Sequence, residues 1–193
     1  MANKDAAFGL KAIGKVGQNR DAQGLSEYQI AASSAAIYQN DPVKMATTGY
    51  ITVAAATEVL LGSLNGVFYT DASSSKPTWA NHLAASNTAT DIVGFVSDDP
   101  YERFEIQCSS TLPITSINGL MDLATYAAGS SPNYQSKVEL NSTAVSTTTD
   151  QFKVLGVTKD DENNNKVNAT TYAANVNVVG IINTHFLKST SGI

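Results

Sequence analysis

The chain has 193 residues, 42% of them hydrophobic but only 15% charged, with a formal net charge of −5 and a single cysteine. That length suits one domain, or one domain plus a terminal segment, with enough apolar content for a core. An acidic balance disfavours general nucleic-acid binding, which needs a basic face to release counterions, one cysteine excludes an intrachain disulfide, and no run of 18 apolar residues predicts a membrane span.

The chain opens MANKDAAFGLKAIGKVGQNR, where Lys4, Lys11, Lys15 and Arg20 face one acid, Asp5. Glycine, lysine and alanine separate Phe8, Leu10, Ile13 and Val16, so no continuous apolar stretch forms. The segment therefore reads as neither a secretion signal nor a membrane anchor. It predicts a basic, extended N-terminal arm over residues 1–24, followed by a β-rich body over 25–187 and a frayed tail over 188–193.

In the body the signal has period two. SEYQIA (26–31) alternates. DPVKMATTGYITVAA (41–55) predicts strand, turn, strand, with Val43 and Met45 on one face and Ile51 and Val53 on one face of the return. Gly49 permits the turn, and Pro42 fits a strand's first position. GVFYTD (66–71) predicts a strand that ends in the loop DASSSKPT, and PTWANHLAAS reads as polar and turn-rich. DIVGFVSDDP and RFEIQC predict a hairpin over 91–108, closed by Asp98-Asp99-Pro100. Residues 113–128 break the alternation and predict a short helix or an irregular turn. KVEL (137–140), QFKVLGVTKD (151–160) and NVNVVGIINTHF (175–186) return to strand character, and DDENNNK (160–166) separates the last two. The sum predicts an all-β, antiparallel barrel or sandwich with an extended arm and at most one or two short helices.

Chemistry is sparse. Only His82 and His185 offer imidazole bases, and nothing places Cys108 or a serine beside either. They read as ordinary surface or turn histidines, and Cys108 as a small core or half-buried side chain. Two distant histidines and one cysteine match no zinc spacing. DDENNNK lacks the glycine and the glutamate of a calcium loop, with Tyr172 where the glutamate belongs. Asp98 and Asp99 are adjacent and precede a proline, which suits turn formation better than acid–base work. The glycines of GLKAIGKVG follow no strand and precede no phosphate-binding Lys-Ser/Thr. The triplets at Asn141 and Asn168 are glycosylation acceptors only in a secreted chain. No cofactor, metal site or catalytic residue is predicted.

The order of several segments resembles a known family. ANKDAAFGLK, IYQNDPVKM followed by TTGYITVAA, the GVFYTD strand, the DDP turn followed by FEIQ, and KVLGV with NVNVVGIINTHF run through residues 2–186. Together they resemble the capsid decoration proteins (cement or head-stabilising proteins) of tailed bacteriophages. The resemblance implies a non-enzymatic virion protein on the outer capsid surface. It would bridge and stabilise major capsid protein subunits and associate with copies of itself, as a homotrimer. Neither nucleic acid nor membrane is an implied partner.

Under that reading the arm lies on the shell or on a neighbouring copy. Phe8, Leu10, Ile13 and Val16 would fill apolar pockets, while Lys4, Lys11 and Lys15 meet acidic residues. Ordering such an arm costs about 1–2 kcal/mol per residue. Exposed ion pairs return less than about 1 kcal/mol each. Apolar burial or strand addition must therefore carry the contact. Rival readings are a neck, tail or head-fibre component of the virion, a carbohydrate-binding β module using Trp79 and Tyr101, and an enzyme.

Overall fold

A computed structural model describes residues 3–16, 24–143, 145–146, 149–158 and 166–188. The remainder of the arm (17–23), the Asn/Asp loop over 160–165 and the tail beyond 188 lie outside the described residues.

Among the described residues, fourteen short strands and two single-turn 3-10 segments make up the regular structure. One large sheet has the order β1 (Lys11–Lys15), β8 (Glu102–Gln107), β14 (Asn177–Ile182), β11 (Phe152–Val157), β10 (Leu120–Met121). The other has the order β2 (Ser26–Gln29), β7 (Val93–Ser97), β5 (Gly62–Thr70), β3 (Pro42–Met45), β4 (Ile51–Val53). In this second sheet β6 (Pro77–Ala80) pairs with the far half of β5. A small ribbon of β12 (Lys166–Asn168), β13 (Thr171–Tyr172) and β9 (Leu112–Pro113) flanks them. All the ladders are antiparallel; β10 is bridged on its outer side by Ser146, and among the described residues β1 at the opposite end of that sheet pairs only with β8. The architecture is an all-β sandwich, not a closed barrel.

Two hydrophobic clusters fill the interior, each fed by the alternation of its own sheet. Phe104, Ile106, Phe152, Val154, Val178 and Ile182 point into the first. Val43, Ile51, Leu64, Val67 and Val96 point into the second. Asp41 sits between them, fully buried just ahead of β3. Its Oδ2 accepts from the Tyr38 amide (2.8 Å) and from the Tyr126 hydroxyl (2.9 Å), and Tyr126 packs on the first cluster. Burial pushes the Asp41 carboxyl up to about 6 and raises the Tyr126 phenol as well.

Several expected elements form as read. The 41–55 hairpin pairs Val43 with Val53 and Met45 with Ile51, and Gly49 takes a positive φ in its turn. Residues 113–128 hold a 3-10 turn (Ile114–Ser116) and the two-residue β10.

Three expectations fail. The 91–108 hairpin does not exist: β7 and β8 both form, but in different sheets. The Asp98-Asp99-Pro100 turn instead carries the chain between layers. It is pinned on one side by Ser26 and Tyr28 donating to Asp98 and on the other by Lys15 bonding Asp99. KVEL makes only single bridges, Leu140 with Cys108 and with Leu123. PTWA, expected as loop, is strand β6.

Candidate functional site

The N-terminal segment is extended, as expected, but over residues 3–16 it lies along the body instead of leaving it. Gln107, itself buried, holds the start. Its Oε1 accepts from the Ala6 amide (2.9 Å) and its Nε2 donates to the Lys4 carbonyl (3.0 Å). Asn3 Nδ2 donates to the Ala174 carbonyl (3.1 Å). Gly9, at φ +73°, passes so close to the Asn40 carbonyl and Ser136 that no Cβ fits. Leu10 then donates its amide to the Asn40 carbonyl (2.9 Å), and its carbonyl accepts from Ser63 Oγ (2.5 Å). Beyond it β1 joins the first sheet, pairing Lys11 with Glu105 and Lys15 with Glu102.

This corrects the arm reading residue by residue. Leu10 is 0% exposed and belongs to the first core cluster, so it is no contact residue. Lys11 pairs with Glu105 (3.5 Å) and Lys15 with Asp99 (2.6 Å), so both charges meet acids of the same chain. Phe8 is half-buried and Lys4 exposed. Ile13 (37% exposed) and Val16 (40%) remain outward. The physical reason is that burying Leu10 and closing a ladder on β8 stabilises the segment where it lies, with no partner required. A boundary at residue 24 therefore does not separate arm from body over 3–16.

β1 is the outer strand of its sheet, so one side of its backbone faces away from β8. At its end Val16 donates its amide to the Tyr101 carbonyl (2.9 Å). Tyr101 is 60% exposed, and Lys188 Nζ lies 4.7 Å from its ring centroid. Among the described residues, Ile13, Val16 and Tyr101 thus leave an exposed apolar margin along the outer edge of β1.

The second exposed aromatic group lies on the outer face of the second sheet. Phe68 pairs across with Trp79, and the Trp79 ring leans over Gly66 to meet Phe95 at 4.8 Å. Trp79 and Tyr101, singled out together from the sequence, are in separate places.

The side chains considered for chemistry are placed as follows. Cys108 is fully buried, and burial pushes its thiol up to about 12, which disfavours the thiolate. His82 is stacked between Tyr134 (4.0 Å) and Tyr38 (6.0 Å), and its Nδ1 bonds Asn81 Oδ1 (3.0 Å). Burial lowers its pKa. His185, expected as a surface or turn histidine, is buried beside a turn; its Nδ1 accepts from the Leu187 amide (3.1 Å) in the last 3-10 segment (Phe186–Lys188). Burial, with Lys188 nearby, brings it down to about 4. Asp99 Oδ1 accepts from the Tyr101 amide (2.8 Å), the turn role expected of it. Among the described residues, no three His, Cys, Asp or Glu side chains gather as metal ligands, and no helix is long and apolar enough to cross a membrane.

No family model, curated protein or solved structure matches the chain.

Proposed function

We propose that the chain is a virion structural protein of the decoration type. It binds the outer surface of a capsid, bridges major capsid protein subunits and stabilises them, acting as a homo-oligomer, a trimer. The resemblance of its ordered segments to the decoration family supports this reading, and the open β1 edge with Ile13, Val16 and Tyr101 is the observation that carries it. An exposed edge strand is a template for another strand or for an apolar ledge.

Placement of β1 changes the energetics foreseen for an arm. The strand is already ordered on β8, so docking does not repeat the cost of fixing about five residues. Its two lysines are paired within the chain, so the contact is apolar and backbone-mediated, not ionic. Repetition on a lattice then lets modest contacts act together through effective concentration.

The test is rebinding of purified protein to capsids stripped of it, comparing the native chain with Ile13→Asp and Val16→Asp. Both residues are exposed, so the isolated variants are expected to melt as the native chain does, within about 0.5 kcal/mol. Their capsid binding is expected to fall at least about tenfold. Undiminished binding refutes the β1 edge as the contact. Failure of the native chain to bind capsids at all refutes the function.

A further inference from the structure

The Trp79 face adjoins a polar cleft, and the two together have the composition of a sugar site. The face is a row across four strands: Gln29 on β2, Val93 on β7, Phe68 on β5 and Trp79 on β6 are consecutive register partners. At a strand spacing of about 4.8 Å this row spans about 14 Å. Gly66 carries no side chain beneath the Trp79 ring, and Phe95 supports the ring from the side. The Trp79 ring is tilted against that of Phe95, and Trp79 remains 56% exposed.

The cleft begins one residue away. A register shift between Leu64 and Gly66 leaves Asn65 without a partner in the β5–β7 ladder, exposed at a bulge of β5. Asn65 lines a cavity of about 360 Å³ with Ser97, Gln39, Gln135 and Lys11, where the N-terminal segment crosses the second sheet. Ser97 is two residues from Phe95 on β7, so the cleft opens about 7 Å from the aromatic group. Its polar side chains are carboxamides and hydroxyls, each able to donate and accept, and Ala12, Leu25 and Leu64 supply an apolar part of the lining. The one cation, Lys11, is paired with Glu105.

We infer that the Trp79–Phe68–Phe95 face and the Asn65 cleft together bind a neutral hexopyranose chain. A pyranose presents C–H groups on its faces and hydroxyls around its rim. The C–H faces suit the electron-rich face of an indole. The hydroxyls need paired donors and acceptors, which three carboxamides and Ser97 supply. Among the described residues no unpaired charge lines the cleft to select a charged ligand. The span and openness favour an internal stretch of polysaccharide over a single sugar. This inference does not rest on capsid binding: its aromatic face lies on the second sheet, away from Ile13, Val16 and Tyr101, although the cleft borders β1 through Lys11 and Ala12.

Trp79 is the only tryptophan, so tryptophan fluorescence excited at the red edge of the absorption band, where the tyrosines do not absorb, reports this face. The full chain is titrated with neutral gluco-, galacto- and mannohexaoses, with the matching monosaccharides, and with a hyaluronan fragment as the anionic arm. A saturable change is expected with at least one neutral hexaose, at least about tenfold weaker with its monosaccharide and absent with hyaluronan. By calorimetry, Trp79→Ala is expected to reduce affinity about tenfold or more. Asn65→Ala, at an exposed bulge, is expected to reduce it severalfold with the fold intact by circular dichroism. Tyr101→Ala is expected to bind as the native chain does. No saturable response to any neutral hexaose overturns the inference, as does binding that survives both Trp79→Ala and Asn65→Ala. Preference for hyaluronan overturns the neutral class. Loss of capsid rebinding in Trp79→Ala without sugar binding assigns the face to protein instead.

Discussion

Leu10→Ala tests whether the N-terminal segment belongs to the fold. Leu10 is fully buried among the residues of the first cluster, which include Phe104, Leu60 and Leu140. The substitution leaves its backbone bonds to Asn40 and Ser63 available and removes only side-chain atoms. Neighbours on three separate strands and loops hold the space open, so little collapse is expected. Leucine-to-alanine changes in such sites cost about 2–5 kcal/mol, and about 3 is expected here. For a chain of this length that corresponds to a fall in Tm of about 6–12 °C. Urea unfolding followed by circular dichroism measures it directly. Ile13→Ala in the same segment, at an exposed position, is the internal control and is expected to change stability by less than about 1 kcal/mol. If Leu10→Ala is no more destabilising than Ile13→Ala, the segment does not pack on the body.

Gly9→Ala is expected to cost at least about 2 kcal/mol, since it adds both a positive-φ penalty and overlap with Asn40 and Ser136; an unchanged unfolding midpoint contradicts that. Asp41 and His185 give opposed pH dependences. The folded pKa of Asp41 is raised to about 6, so its contribution is fully present below the ordinary carboxyl range and is lost as pH rises through 6. That of His185 is depressed to about 4, so its contribution is present above the ordinary histidine range and is lost as pH falls toward 4. Between pH 4 and 6 the two largely cancel, each being worth a few kcal/mol. Asp41→Asn should therefore become steadily less stable on acidification in that window, and His185→Asn more stable; parallel profiles for both variants refute the assignment. Gly66→Ala places a methyl against the indole, so Trp79 fluorescence is expected to shift red as the ring lifts, with a small change in stability; an unaltered spectrum shows that the ring does not rest on Gly66.

Period-two alternation made the strands legible. Phe104 and Ile106 against Arg103 and Glu105 give β8, and Val43 and Met45 give β3, because one side of each strand faces a core. Strand partners were not legible. The Asp98-Asp99-Pro100 turn is equally good chemistry for a hairpin and for a crossing between sheets. Tertiary bonds from Ser26, Tyr28 and Lys15 decide it, and those residues lie far away in sequence. The N-terminal segment misled for a related reason. Its spaced apolar residues look like an unpartnered arm, whereas one of them, Leu10, is a core residue and the next five make an edge strand. Gly9 is the signal available in advance: a glycine before an apolar residue marks a place where backbone can approach backbone closely. The Trp79 face was half legible. The tryptophan stood out, but PTWA is a four-residue strand that opens with proline, and its partners Phe68 and Phe95 come from strands that only the register brings together.

Imaging intact particles at a resolution that traces this chain tests the central claim most directly. The account predicts the protein on the outer face of the shell, once per lattice repeat, with Ile13, Val16 and Tyr101 against major capsid subunits and copies related by local three-fold symmetry. Its absence from the shell, or its confinement to the neck or tail, contradicts it.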